Sequence, residues 1–259
     1  MRPLWWLTLS KKIAISPYLW QMEFSGASLA NFPLHREGDY IKLLLPRASS
    51  TSIFDVDPQA PDLSGLFKRS YTVCSFDPRE NTLTVYVTRH KATAGPAASW
   101  ANSVQPGDDV LITGPGPVGQ VDPHASRFFM AGDLPSLGAV LANLRRLPKT
   151  AKGDLVFEAP EPLELIEQSC PQGIEVHWIK SETERSSPLF VETVKQLPAP
   201  DEKTSLWVAC EYSSMKRLRE YFSGELGLTK QQFYLSSYYK FGATDEQHKQ
   251  TRREEGYKD

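Results

Sequence analysis

The chain has 259 residues, 40% of them hydrophobic and 23% charged, with a formal net charge of −2. That length allows two domains, that composition is ordinary for a globular protein, and the slight acidity argues against a general nucleic-acid binder, which carries a basic excess. Cys74, Cys170 and Cys210 are too scattered for a disulfide framework, a zinc site or an iron–sulfur cluster, so a reducing compartment is expected.

The opening Met1-Arg-Pro-Leu-Trp-Trp-Leu-Thr-Leu-Ser10 looks superficially like a short leader, but Lys11 and Lys12 interrupt it and no small-residue cleavage site follows. No stretch is apolar for the roughly 18 residues a membrane helix needs. The expected setting is cytoplasmic, with no membrane partner. Up to residue 122, short runs rich in β-branched and aromatic residues alternate with Gly, Pro, Asp and Ser. Leu19 to Phe24, Tyr40 to Leu45, Tyr71 to Phe76, Thr82 to Thr88 and Val110 to Thr113 read as strands. Leu83, Val85 and Val87 alternate with threonines and Tyr86, the period-2 pattern of a half-buried strand. Such a series predicts an antiparallel β-barrel over 1–122, with a long loop or lid from Arg47 to Phe67.

From 123 to 259 the pattern becomes strand and helix in alternation. Phe128 to Ala131, Leu155 to Phe157, Ile174 to Ile179 and Leu206 to Cys210 read as strands. Leu137, Val140, Leu141 and Leu144 share a helical face, and further helices are expected over Pro162–Glu167, Leu189–Leu197 and Ser213–Leu226. This predicts a three-layer α/β domain with a mostly parallel sheet, ending in a polar tail from Asp245 that is a surface helix or disordered. No internal repeat is apparent.

Gly114-Pro-Gly-Pro-Val-Gly119 fits the dinucleotide fingerprint G-x-G-x-x-G as a string. The fingerprint must open a helix whose amides receive a pyrophosphate, and Pro115 and Pro117 remove two of those donors. A hairpin or domain connection is the better reading.

Two stretches carry chemistry. Arg69-Ser-Tyr-Thr72 stands at a strand start, where alternation points Arg69 and Tyr71 one way and Ser70 and Thr72 the other. A flavin needs a cation for its phosphates, an aromatic surface and polar donors, which Arg69, Tyr71 and the Thr72 backbone can supply. Alone, the four residues describe an ordinary strand start at least as well. Farther on, Val87-Thr-Arg-His-Lys-Ala-Thr-Ala-Gly-Pro-Ala-Ala-Ser-Trp-Ala101 ends a strand, turns, and begins a short helix near Pro96. A helix N-terminus among small residues is a ready anion site, open to close approach at Gly95, Ala97, Ala98 and Ser99. His90 there serves a ligand or a turn equally well.

The order Arg-x-Tyr-Thr, His-x(4)-Gly-Pro-Ala-x-x-Trp-Ala, Pro106-Gly-Asp108 and Gly-Pro-x-Gly resembles the siderophore-interacting protein family, part of the ferredoxin–NADP reductase-like flavoproteins. The resemblance runs from Phe24-Ser-Gly and Ile41-Lys-Leu through Ala131-Gly-Asp133 to Leu206-Trp-Val-Ala-Cys-Glu211, Leu218-Arg219 and Tyr238-Tyr-Lys-Phe-Gly242. It implies a β-barrel FAD domain followed by a nucleotide-reductase-like α/β domain. FAD would be held by Arg69, Ser70, Tyr71, Thr72, Thr88, His90, Gly95, Ala97, Ala98 and Ser99, with Asp133 near the second domain's cleft. It implies an FAD-dependent ferric-siderophore reductase, fed by NAD(P)H or a small iron–sulfur protein. Lys42 and Lys240 resemble basic residues of the family and are expected to meet the anionic ferric chelate. Ala98 stands where the family commonly has Ser or Thr. Leu134-Pro-Ser-Leu-Gly138 departs from the usual Thr-Ala-Leu-Pro, and Cys210 replaces a glycine. A general NAD(P)H:flavin or quinone oxidoreductase, and a siderophore-binding protein without catalysis, are the competing readings.

Overall fold

The computed structural model describes residues 2–47, 52–57, 60–89, 95–181 and 186–255. It divides into two compact units, Met1–Val118 and Gly119–Asp259. The first is built from seven antiparallel strands: β1 (Leu4–Ser16), β2 (Leu19–Ser25), β3 (Tyr40–Pro46), β4 (Leu66–Thr72), β5 (Ser75–Asp77), β6 (Thr82–Thr88) and β7 (Asp109–Gly116). They are ordered β4-β3-β7-β1-β2-β6-β5. The two edge strands, β4 and β5, are joined only by Val73 and Cys74, so the sheet must curl until its ends meet. At that junction Val73 donates its N–H to Asp39 O and Cys74 donates to Thr84 O, 2.8 and 2.9 Å.

One face of this half-barrel encloses Leu7, Leu9, Met22, Phe24, Ile41, Leu43, Val85 and Ile112. The short helix α1 (Gly95–Ser103) lies against it through Ala97, Trp100 and Ala101. The leader-like N-terminus is β1. Its Trp5, Leu7 and Leu9 turn into the core, while Leu4 and Trp6 pack in a second apolar cluster with Leu44, Leu66 and Leu111. With both faces apolar the strand lacks alternation, which is why it reads as a leader. The lysines that interrupt it are accommodated. Lys11 pairs with Glu23 at 2.9 Å, and Lys12 donates to the Asn102 and Val104 carbonyls at the end of α1. The run expected over Tyr71–Phe76 is two strands, because Val73 and Cys74 form the barrel-closing corner. Gly114 to Gly116 belong to β7, and no helix opens there.

The second unit is a five-stranded sheet of order β10-β9-β8-β11-β12, parallel throughout. Its strands are β8 (Arg127–Asp133), β9 (Lys152–Ala159), β10 (Gly173–Lys180), β11 (Thr204–Glu211) and β12 (Phe233–Tyr239). The helices are α2 (Leu137–Leu144), α3 (Glu164–Ser169), α4 (Pro188–Gln196), α5 (Tyr212–Arg219) and α6 (Asp245–Glu254), with one π-helical turn at Glu220–Glu225 where a longer α-helix was expected. Helices α4 and α5 cover one face through Phe190, Val191, Val194, Met215 and Leu218, packed on Phe129, Ala131, Val156 and Val208. Helix α2, buried along its whole length, covers the other. The polar tail is helical because Thr244 caps α6 reciprocally with Gln247 and because His248 is buried against Ser237, Nε2 to Oγ 2.8 Å. Among the described residues no helix is long and apolar enough to cross a membrane.

Candidate functional site

In the first unit the chemistry-bearing residues gather on β4 and at the start of α1. Register pairs Arg69 with Leu43 and Tyr71 with Ile41, so both side chains share the face of the barrel core, where Tyr71 packs half-buried. The Arg69 guanidinium lies 5.1 Å from the Phe67 ring centre and donates to the Lys68 carbonyl at 3.1 Å. Ser70 and Thr72 take the opposite face, as alternation requires. Lys42 is the direct partner of Ser70 and therefore shares that opposite face, its Nζ 5.5 Å from the Tyr40 ring centre. Lys42 and the Arg69–Tyr71 pair thus stand on opposite sides of the β3–β4 ribbon. β4 is an edge strand, which leaves one side of its backbone to the surroundings rather than to a neighbouring strand.

Helix α1 opens at Gly95, whose φ of 70° is left-handed. A Cβ there would touch nothing, so the demand is conformational, not spatial. Gly95 and Ser99 are exposed, Ala97 is half-buried, and the Ala98 methyl is 5% exposed. Ala98 therefore packs inward and can offer a ligand only its backbone. No acidic side chain lies in the first turn of α1. By contrast, α5 has its first amides taken by Glu211, and α6 carries Asp245 and Glu246. With no acid in its first turn, the positive end of α1 favours an anion. That donor set, with a cation and an aromatic ring on β4, fits a phosphate-bearing flavin. Thr88 closes β6 half-buried. His90 lies outside the described residues.

In the second unit, Asp133 and Glu211 end β8 and β11 and Glu158 is the next-to-last residue of β9, at the carboxyl edge of the sheet. The strand order reverses between β8 and β11, the place where parallel sheets open a crevice. All three carboxyls are buried, at 2, 3 and 3% exposure. The Glu211 carboxylate accepts from the Ser213 N–H at 2.5 Å, from the Phe241 N–H at 3.0 Å, and from the Ser213 hydroxyl. Glu158 accepts from the Ser186 hydroxyl at 2.7 Å and the Ser187 N–H at 2.5 Å, yet burial holds its pKa above the ordinary value. Asp133 is pushed further up, first by burial and then by the Glu158 charge. Neither of its oxygens makes a hydrogen bond of normal geometry, although the Glu211 and Ser136 amides offset part of the shift. The same burial, with Asp133 next to it, raises the Cys210 thiol, so this cysteine is a neutral packing residue.

Lys240 stands half-buried just beyond β12, its Nζ 5.0 Å from the Tyr212 ring centre and 3.3 Å from the Thr251 hydroxyl of α6. Glu158 was absent from the expected site, and Glu211 entered it only as part of a motif. Both follow apolar strand runs directly, Leu155-Val-Phe and Trp207-Val-Ala-Cys, and an acid at that point of a parallel sheet was the available signal.

An antiparallel half-barrel followed by a parallel α/β unit is the ferredoxin–NADP reductase-like fold. A ferredoxin–NADP reductase of Neisseria gonorrhoeae, solved with bound FAD and NADP, is similar at a TM-score of 0.61 with 14% identity, covering 92% of this chain and 99% of that one. Within that class, residues 8–119 match the siderophore-interacting FAD-binding domain and residues 125–242 match the siderophore-interacting protein model. The chain belongs to the siderophore-interacting protein family and binds FAD. The siderophore-interacting protein SipS of Aeromonas hydrophila is 27% identical at a TM-score of 0.84, with 98% of both chains covered. A ferric vibriobactin reductase of Vibrio cholerae, ViuB, is 26% identical over 95% of this chain and 93% of its own length.

Proposed function

We propose that the protein is an FAD-dependent reductase of ferric siderophores, acting in the cytoplasm. The observation that carries the reading is the acid-free N-terminus of α1 in the same unit as Arg69 and Tyr71. There the amides after Gly95 receive the FAD phosphates, Arg69 adds the cation, and Tyr71 offers its ring edge. Thr72 contributes through its edge-strand backbone, and Ser70, Thr88, His90, Ala97, Ala98 and Ser99 complete the surroundings. Bound FAD supplies the electrons, taken from NAD(P)H or a small iron–sulfur protein and passed singly to Fe(III) in its chelate. Oxygen chelators hold Fe(II) far less tightly than Fe(III), so reduction releases the metal.

The chain's own part is to attract and orient the chelate. Lys42 and Lys240 supply positive charge toward an anionic ferric siderophore. Lys240 meets it by giving up a long hydrogen bond to Thr251. Similarity over nearly the full length to a protein named for ferric vibriobactin reduction supports the acceptor class.

Acceptor competition tests the reading. Turnover with ferric catecholate and hydroxamate chelates should exceed turnover with free flavin or quinone, and Lys42→Glu and Lys240→Glu should each lower kcat/KM for the chelates about tenfold, a loss of about 1.4 kcal/mol. A preference for quinone, with both variants unchanged, would replace this reading by a general oxidoreductase.

A further inference from the structure

We propose that Asp154, Glu175 and His177 form a binding site for a divalent transition-metal ion at the amino edge of the parallel sheet. Strand β9 supplies Asp154 and the neighbouring β10 supplies the other two. Asp154 and Glu175 are register partners, and His177, two residues on, shares their face. One ligand atom from each of the three lies within 4.8 Å of the others. An acidic surface patch has no such imidazole. His177 Nε2 and Asp154 Oδ1 face each other at 3.0 Å, the spacing of two ligands that one ion can bridge.

The ligands are also held from behind. Asp154 Oδ2 accepts from Arg127 at 2.7 Å, and the Arg127 guanidinium is fixed in turn by the Pro198 and Ala199 carbonyls. That leaves Oδ1 turned toward His177, the outer-sphere support that orients metal-binding carboxylates. Two carboxylates against one guanidinium keep a net negative charge for a dication. One imidazole with two carboxylates selects borderline ions such as Zn(II), Co(II), Ni(II) or Fe(II) over Mg(II) and Ca(II). Glu175 is exposed and His177 half-buried, so water completes the coordination.

This place is remote from the buried carboxyls of the site described above. Asp154 and Glu158 are four residues apart on one strand, about 13 Å at ~3.3 Å per residue. The proposal does not rest on the reductase reading, although Fe(II) released by such a reaction belongs to the class of ion the ligands favour.

Isothermal titration of the full FAD-loaded chain with Zn(II), in a non-coordinating buffer at neutral pH, tests it. One saturable ion per chain is expected, weakened at least about tenfold in His177→Ala and in Glu175→Gln. His124→Ala should leave it unchanged. Glu175 is exposed and bears no packing load, so its variant keeps the test valid if His177→Ala folds poorly. Absence of saturable binding, or binding that survives both substitutions at the same affinity, would overturn the proposal.

Discussion

Asp133 shows how a single residue's surroundings set what it can do. Its carboxyl is buried beside Glu158 and Glu211, and the folded state therefore binds its proton more tightly than the unfolded state does. The sign follows: stability from this group is complete below the unfolded carboxylate pKa of about 3.9 and is lost as pH rises through the higher folded value. Glu158, raised mainly by burial, acts in the same direction. Asp133→Asn should flatten the decline of Tm as pH rises from the ordinary carboxylate range through the higher folded value, and make the protein more stable above it. Thermal melts of both proteins across pH check this, and an unchanged slope would refute it. Arg69 makes the contrasting case, a cation that donates to the Lys68 carbonyl and lies against the Phe67 ring. If it meets the FAD phosphates, Arg69→Ala should weaken FAD binding at least about tenfold, as loss of a charge-assisted hydrogen bond implies. Flavin fluorescence on dilution reads this out.

At the scale of elements, two glycines fix where chains turn and touch. Gly95 opens α1 with left-handed backbone, and an added Cβ would touch none of the described residues, so Gly95→Ala costs about 1–2 kcal/mol of local conformation. The expected result is faster FAD release with the fold retained, measured by flavin dissociation and circular dichroism. Gly153 on β9 differs. A Cβ there would stand 1.8 Å from the Phe128 carbonyl oxygen, and its φ of 147° already excludes most side chains. Gly153→Ala should destabilise the second unit by roughly 3 kcal/mol or more, with loss of its cooperative melting transition.

These elements were legible in the sequence to different degrees. β6 announces itself because Leu83, Val85 and Val87 face a core while threonines face out, and its ends fall as expected. β1 does not, because Trp5 and Trp6 are both buried or half-buried, on opposite faces. β12 was missed for a related reason. Phe233 to Tyr239 is aromatic and serine-rich, and only its last two residues, Tyr238 and Tyr239, fall within a recognisable motif. Among site residues, the strand face of Arg69 and Tyr71 follows from alternation alone. The opposite placement of Lys42 does not, since it depends on the pairing of Lys42 with Ser70 across β3 and β4.

For the whole molecule, a net charge of −2 gives no general attraction for anions, so an anionic chelate depends on local cations such as Lys42 and Lys240. The fold sorts its acids accordingly: α1 is left free of them, while the carboxyl edge of the second unit buries Asp133, Glu158 and Glu211. The central claim joins FAD to a ferric-chelate acceptor, and anaerobic stopped-flow mixing tests it most directly. The purified protein is reduced, mixed with a ferric siderophore in the presence of an Fe(II)-specific chromophore, and followed at the flavin absorption band. The account predicts that oxidised flavin returns as Fe(II) appears, with electrons conserved between them. A flavin that stays reduced while Fe(III) remains in its chelate would contradict it.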